Sequence, residues 1–257
     1  MKPCLLIPIY NNKDTIAAVL AELAPYHLPC IIIDDGSDAT TRQVIDHEAA
    51  QYAWVQVIHH EHNGGKGQAV ITGFFAASDK GYTHAIQIDA DGQHNAHDID
   101  RFLTEARAHP EALILGKPLF GPEVPRARYL GRKISQWCVW VETLSCAIGD
   151  PLCGFRVYPL VATVALLKRT RVGTRMDFDP DIAVRLYWAG VAIRNVETRV
   201  VYPEGGVSHF RMGRDNVRIS WMHTRLLAGM LVRIPHLLLR GACRASCKPP
   251  PAMRRPW

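Results

Sequence analysis

Five short, nearly unbroken apolar runs punctuate the first 116 residues: CLLIPI (4–9), CIIID (30–34), WVQVIH (54–59), THAIQID (83–89) and ALILG (112–116). A strand with one wet face alternates apolar and polar residues, and a surface helix repeats near 3.6, so runs like these belong to strands covered on both faces. The intervening segments 14–23, 39–50, 67–78 and 98–108 are helical in period, with Thr15 or Asp14 available to cap the first and Asp98 the fourth. Strand–helix alternation of this kind builds a mainly parallel α/β sheet with flanking helices. The 257 residues suit one large domain, or one domain plus an appendage.

Ligands of such sheets gather at the carboxyl ends of the strands. That edge receives YNN after the first run, DDGS after the second, NGGKG after the third and DADGQH after the fourth. Four polar, glycine-bearing loops on one rim point to a polar ligand. Asp89 and Asp91 stand one residue apart with no opposite charge close in sequence. Hard oxygen ligands on a tight turn suit Mg²⁺ or Mn²⁺, which keep positions open for water and substrate phosphates, and Gln93 offers a neutral oxygen on the same side. A plain helix-capping role for both acids stays open beside that reading. A calcium loop does not fit, because a strand precedes it and His94 stands where glycine is needed. The DxDG of phosphatases with Asp89 as nucleophile is a further alternative, although that motif normally opens its chain and here three other loops come first.

Asp34 and Asp35 at a strand end can accept hydrogen bonds from ribose hydroxyls or a base N–H, or can form an ordinary Asx-turn. NGGKGQA places three glycines and Lys66 before a helix start, a geometry friendly to phosphate without the Walker A spacing. Beyond Gly116 the sequence reads as a proline-rich loop (117–128), a helix (129–148), the stretch GDPLCGFRVYP, a helix near 160–168, a helix from about 180 and a strand-like segment 193–203.

Taken in order, IPIYNN, IIIDDGS, NGGKGQAVITG and IQIDADGQH resemble the nucleotide-sugar-binding half of family 2 glycosyltransferases of GT-A fold. GDPLCGFRVYP followed by MDFDPDIAVRLYWAG is similar to the polyprenyl- and dolichyl-phosphate mannosyl- and glucosyltransferase branch, and the resemblance spans about residues 4–210. It implies a Rossmann-like GT-A domain over 1–210, with a donor half (1–116) and an acceptor half (117–210). It further implies an inverting transfer from a UDP- or GDP-linked sugar to a lipid-linked or lipid-like acceptor. Pro8 and Tyr10 would line the base pocket, Asp35 and Asp34 would meet the nucleoside, and Lys66 would stand near the diphosphate. Asp89, Asp91 and Gln93 would hold the metal, and Arg156 would contact substrate. Asp150 would act as base or orient the sugar, with Asp179 and Asp181 behind it as bases. The chain departs from the branch at Asn12, where the branch has Glu, and at Lys117-Pro118, where the branch has Ser-Arg. These departures touch the acceptor-phosphate site and leave room for a sugar-nucleotide-binding or membrane-scaffold protein without catalysis.

In YPEGGVSHFR, His209 could complete the metal shell or meet the diphosphate, and Arg211 could pair with a phosphate. From Arg211 onward there are ten lysines and arginines against one acid, whereas the first 210 residues are slightly acidic. Residues 211–242 read as a basic amphipathic helical region, with Ile219, Met222, Leu226 and Met230 on one stripe and Arg211, Arg214, Arg218 and Arg225 on another. That suits a helix lying flat on an anionic membrane, or a terminal helix packed on the body. Aromatic interleaving is too sparse for nucleic acid. Residues 243–257 read as a disordered tail. Seven scattered cysteines without a CxxC pair suit reduced thiols, and the expectation is a cytoplasmic protein, peripheral on the inner membrane face.

Overall fold

The computed structural model of the chain describes residues 1–119, 126–200 and 212–245. The first half runs β1 (Pro3–Ile9), α1 (Lys13–Leu23), β2 (Cys30–Asp34), α2 (Ala39–Ala50), β3 (Val55–His59), α3 (Lys66–Asp79), β4 (His84–Gln87) and α4 (Ile99–Ala108). The second half adds β5 (Leu113–Leu119), α5 (Arg126–Thr143), β6 (Arg156–Pro159), α6 (Leu160–Leu167), α7 (Phe178–Trp188), β7 (Ile193–Arg199) and α8 (Met212–Ala245). The strands form one sheet in the order β3-β2-β1-β4-β6-β5-β7, parallel except for β6, which is antiparallel to both β4 and β5.

Four of the apolar runs are buried as their composition requires, whereas β3, at the sheet edge, is only half-buried, with Gln56 and His59 exposed. Leu6, Ile31, Ile33 and Ala85 face a core shared with Phe74 of α3 and with Phe178 and Ile182 of α7. Their strand neighbours Leu5, Ile7, Ile32 and Ile86 face the opposite core, closed by Ile16 and Leu20 of α1 and Phe102 of α4. Successive side chains point to opposite faces of a strand, so a sheet buried on both faces needs apolar residues at every position.

Several boundaries differ from expectation. Strand β5 continues through Lys117-Pro118-Leu119, because β7 pairs with it along its length, whereas β6 pairs with it only at Ile114 and Leu115. Past Leu115 one side of β5 is free of β6, and a proline without an N–H is tolerated there. Helix α5 stops at Thr143 instead of 148, because Leu144 takes a left-handed φ of 48° and Ser145 N–H turns back to the Trp140 carbonyl. The capping roles also change. Asp98 begins α4, but its carboxylate accepts from Arg101 and Thr198. The Thr15 hydroxyl donates to the carbonyls of Asn12 and Ala90.

The expected membrane-facing stripe of α8 is corrected. Met222, Leu226 and Met230 are buried in the core, with Ile219 packed against it, so the body takes that face. The helix extends to Ala245, and residues 246–257 lie outside the described part of the chain. Among the described residues no helix is long and apolar enough to cross a membrane.

Candidate active site

The rim loops are tied to one another by their own polar groups. Asn11 N–H donates to Ser37 Oγ, and Asp38 N–H donates to Asn11 Oδ1, joining the loops after β1 and β2. Asp34 is fully buried; it accepts from Ser37 N–H and pairs with His59 and with Arg42. Asp35 accepts from Gly64 N–H at 3.0 Å and Gly65 N–H at 2.7 Å, and contacts His60 Nδ1 at 3.0 Å. Both acids therefore organise loops, and Asp35 takes up amides of the glycine loop that the sequence offered to phosphate. Pro8 is buried within β1 opposite Ile33, and Tyr10 follows at the strand end, half-buried.

The glycine loop delivers Lys66. Gly65 has φ of 101°, a conformation that suits glycine, and a side chain there would strike Arg175 and Thr174. Lys66 then opens α3, and its Nζ lies 2.8 Å from Asp89 Oδ2 and 2.9 Å from Asp179 Oδ2. Burial works against the ammonium, but Asp179 and Asp89 outweigh it and raise the lysine above its ordinary value. Asp179 belongs to the first turn of α7, and Arg156 holds that turn by donating to its backbone carbonyl at 2.7 Å. Arg156 is wholly buried and also donates to the carbonyls of Cys153 and Pro151, so it braces the site from beneath. Asp181 turns elsewhere, toward Gly173 N–H, Arg185 and Arg225.

At the tip of β4, burial opposes ionisation of Asp89, yet Lys66 and His94 outweigh it and hold the carboxyl below its usual range. Asp91 goes the other way, raised by burial and then by the charge of Asp89. Asp91 Oδ1 accepts from Gln93 N–H, and Gln93 and His94 line the same small recess with Gly154 and Arg132. Asp89 Oδ1 and His94 Nδ1 are buried without a hydrogen-bond partner among the described residues. Among the described residues no three His, Cys, Asp or Glu side chains are gathered as a ready ligand set. Two carboxylates, one with an orphan buried oxygen and one whose ionisation is suppressed by its neighbour, fit a divalent ion that takes its remaining ligands from water and phosphate. The Cys153 thiol beside them is pushed up to about 12 by burial and stays protonated.

A second recess adjoins the tip. Lys117, Leu119, Tyr129, Arg132, Lys133, Gln136 and Asp150 line a cavity of about 280 Å³. Asp150 is clasped by Arg132 through Nε at 3.1 Å and Nη2 at 2.8 Å, and it accepts from Leu152 N–H in the turn before β6. Arg132 borders both recesses. The structure thus gathers Lys66, Asp89, Asp91, Gln93 and Asp179, sets Asp150 next door, and leaves Asp34, Asp181 and Arg156 in supporting positions. His209 and Arg211 lie outside the described residues. Sequence reasoning missed Arg132, Lys133 and the functional side of His94. His94 directly follows the acid motif, but nothing near Arg132 signals its partner eighteen residues on.

A mixed, mainly parallel sheet with an acid pair at the tip of its fourth strand is a glycosyltransferase architecture of GT-A type. Glucosyl-3-phosphoglycerate synthase from Mycobacterium tuberculosis in complex with UDP shares this fold at a TM-score of 0.61 and 17% identity, over 90% of this chain and 79% of that one. The same protein with Mn²⁺, UDP-glucose and glycerol 3-phosphate superimposes at 0.56 and 16%, with the same coverage. Residues 4–171 match the family model of glycosyl transferase family 2, and the chain belongs to that family. An undecaprenyl-phosphate mannosyltransferase of Micrococcus luteus is 31% identical over 222 residues, 83% of this chain and 89% of that protein. A polyprenol monophosphomannose synthase of Mycolicibacterium smegmatis is 24% identical over 224 residues, 83% and 82% of the two chains. The phosphatase alternative falls with this assignment.

Proposed function

We propose that the chain transfers a sugar, with inversion, from a UDP- or GDP-linked donor to a lipid-linked phosphate, working peripherally at the cytoplasmic face of a membrane. The observation that carries the reading is Arg132, which borders the acid tip on one side and the basic cavity on the other. A donor diphosphate at the tip and an acceptor phosphate among Lys117, Arg132 and Lys133 would then meet across one side chain. The names of the relatives, which act on undecaprenyl phosphate or make polyprenol monophosphomannose, support the acceptor class.

Asp89, Asp91 and Gln93 would hold Mg²⁺ or Mn²⁺, which when bound offsets charge on the donor diphosphate. Asp35 fixes the glycine loop, and the loop fixes Lys66 beside the departing diphosphate. The bond from the anomeric carbon to the diphosphate oxygen breaks with its electron pair leaving on that oxygen, and an acceptor oxygen forms the new bond from the opposite face. A phosphate acceptor arrives anionic and needs no base. Asp150 therefore holds Arg132 in place, and Asp179 holds Lys66. The donor half (1–116), the acceptor half (117–210) and the basic region (211–242) are the working divisions of this reading.

Thermal shift with a panel of UDP- and GDP-sugars, with and without Mn²⁺, tests donor and metal together. The expected result is a metal-dependent rise for one donor, and sugar transfer to polyprenyl phosphate that Asp91→Ala abolishes. Wild-type turnover in Asp91→Ala rejects the metal assignment.

A further inference from the structure

Most of the exposed large apolar side chains among the described residues lie on two touching helices, α5 and α8. On α8, Val217 is 70% exposed, Trp221 62% and Val232 82%, with Leu239 also open, while Met222, Leu226, Met230 and Leu237 on the other face are buried. At 100° per residue, 217, 221, 232 and 239 fall in one sector opposite the buried stripe, and Arg214, Arg218 and Arg225 run along its flank. Asp215, the only acid among the described residues of α8, is buried 3.9 Å from Arg218, and Arg225 lies 3.8 Å from Asp181, so the outward sector holds no acid and its flanking arginines remain partly exposed. On α5, Leu130, Ile134 and Trp137 are exposed at spacings of four and three. Going round α5, this stripe lies between Tyr129, Lys133 and Gln136, which line the basic cavity, and Glu142, whose Oε1 meets His223 of α8 at 2.7 Å. Cavity, apolar stripe and outer face of α8 are therefore neighbours.

We propose that the outer stripe of α5 and the outward face of α8 together form a docking surface for an anionic lipid bilayer, which sets the mouth of the basic cavity at the lipid surface. This rests on the reading of that cavity as the acceptor site, and it moves the membrane contact from the stripe the sequence suggested to the opposite face of α8. Clusters of exposed large apolar side chains rimmed by charge mark interaction surfaces. Apolar side chains with Trp at the centre and arginines along the flank match a helix lying in the headgroup region, where anionic lipid supplies the countercharge. A second copy of the chain fits poorly, since a two-fold pairing of this face brings its arginines toward one another.

The test uses the full chain and vesicles of phosphatidylcholine, alone or mixed equally with phosphatidylglycerol, in a flotation assay. Wild type is expected to float with the anionic vesicles and not the neutral ones. The double variants Trp221→Glu/Val232→Glu and Ile134→Glu/Trp137→Glu are each expected to weaken binding by about tenfold or more. Hydrogen exchange of the wild type on anionic vesicles, which needs no variant to fold, is expected to protect 130–137 and 217–239. Equal binding to neutral vesicles, variants that bind as tightly as wild type, or no added protection in those segments would overturn the proposal. So would a wild-type dimer that the variants convert to monomer. Neither measurement involves donor or acceptor, so failure here leaves the thermal-shift test of the transferase reading standing.

Discussion

Gly154→Ala places one methyl group against the acid tip. A Cβ at 154 would sit 2.6 Å from Asp89 Cγ and 2.7 Å from Oδ1, and closer still to Oδ2. Ordinary contact starts near 3.4 Å, so the carboxyl carbon must retreat by about 0.8 Å, the difference between 2.6 and 3.4 Å. Rotating the carboxylate gives no relief, because its carbon is itself too close. The retreat stretches the 2.8 Å contact of Asp89 with Lys66 and moves an oxygen that the metal reading requires. A displacement approaching 1 Å at a reacting centre costs on the order of 100-fold in rate. Overpacking costs about 1–3 kcal/mol of stability. The expected outcome is a kcat lowered by about 100-fold with the fold retained, read by sugar transfer and by urea unfolding. Gly131→Ala, in α5 with nothing within 4 Å of its added methyl, is the matched control and is expected to be neutral or slightly stabilising. Wild-type turnover in Gly154→Ala would refute the view that the position of Asp89 governs catalysis.

Two further outcomes follow from buried charge. Lys66→Met leaves Asp89 and Asp179 facing each other without their shared cation and is expected to destabilise by about 3 kcal/mol or more, measured by urea unfolding at neutral pH; a loss within about 0.5 kcal/mol would contradict the bridge. Glu142 is raised above its ordinary 4.5 by burial, an effect that His223 opposes and Asp181 reinforces. The folded state thus holds this proton more tightly than the unfolded chain, so stability is lost as pH rises from 4.5 through the folded value. Glu142→Gln lacks that proton, so its stability relative to wild type is expected to climb across that window and stay flat below it. A gap that does not vary with pH counts against the buried carboxyl.

The donor half was legible because its central strands β1 and β2 are almost continuously apolar and each loop falls at a strand end, so the order of the loops fixes which residues share a rim. Strand β6 escaped notice because Arg156 opens it. A charge reads as surface, and it takes the carbonyls of Pro151, Cys153 and Asp179 together with the Tyr158 hydroxyl to explain why an arginine is wholly buried there. The α8 stripe was read as apolar with two neighbours open, a membrane surface or the protein body, and the body takes it. Periodicity shows that a face is apolar, not what covers it, and this helix has apolar residues on two faces.

The part of the site that sequence could not show is its pairing of charges. Lys66 and Asp179 are 113 residues apart, and Arg132 and Asp150 are related only through the turn before β6. These pairs share one physical purpose. An acid tip that must admit a divalent ion attracts every nearby cation, and a free arginine or lysine would settle on Asp89 and Asp91 in the ion's place. Lys66 does contact Asp89 but shares its charge with Asp179, and Arg132 is held by a two-pronged clasp on Asp150. Lys66 and Arg132 thus each carry a counter-acid, while Asp91 forms no ion pair with a lysine or arginine among the described residues and has its carboxyl raised by burial and by the charge of Asp89. Of the three acids read as candidate bases, Asp150 and Asp179 are each engaged by a cation of the rim, Arg132 and Lys66, whereas Asp181 is turned toward Arg185 and Arg225.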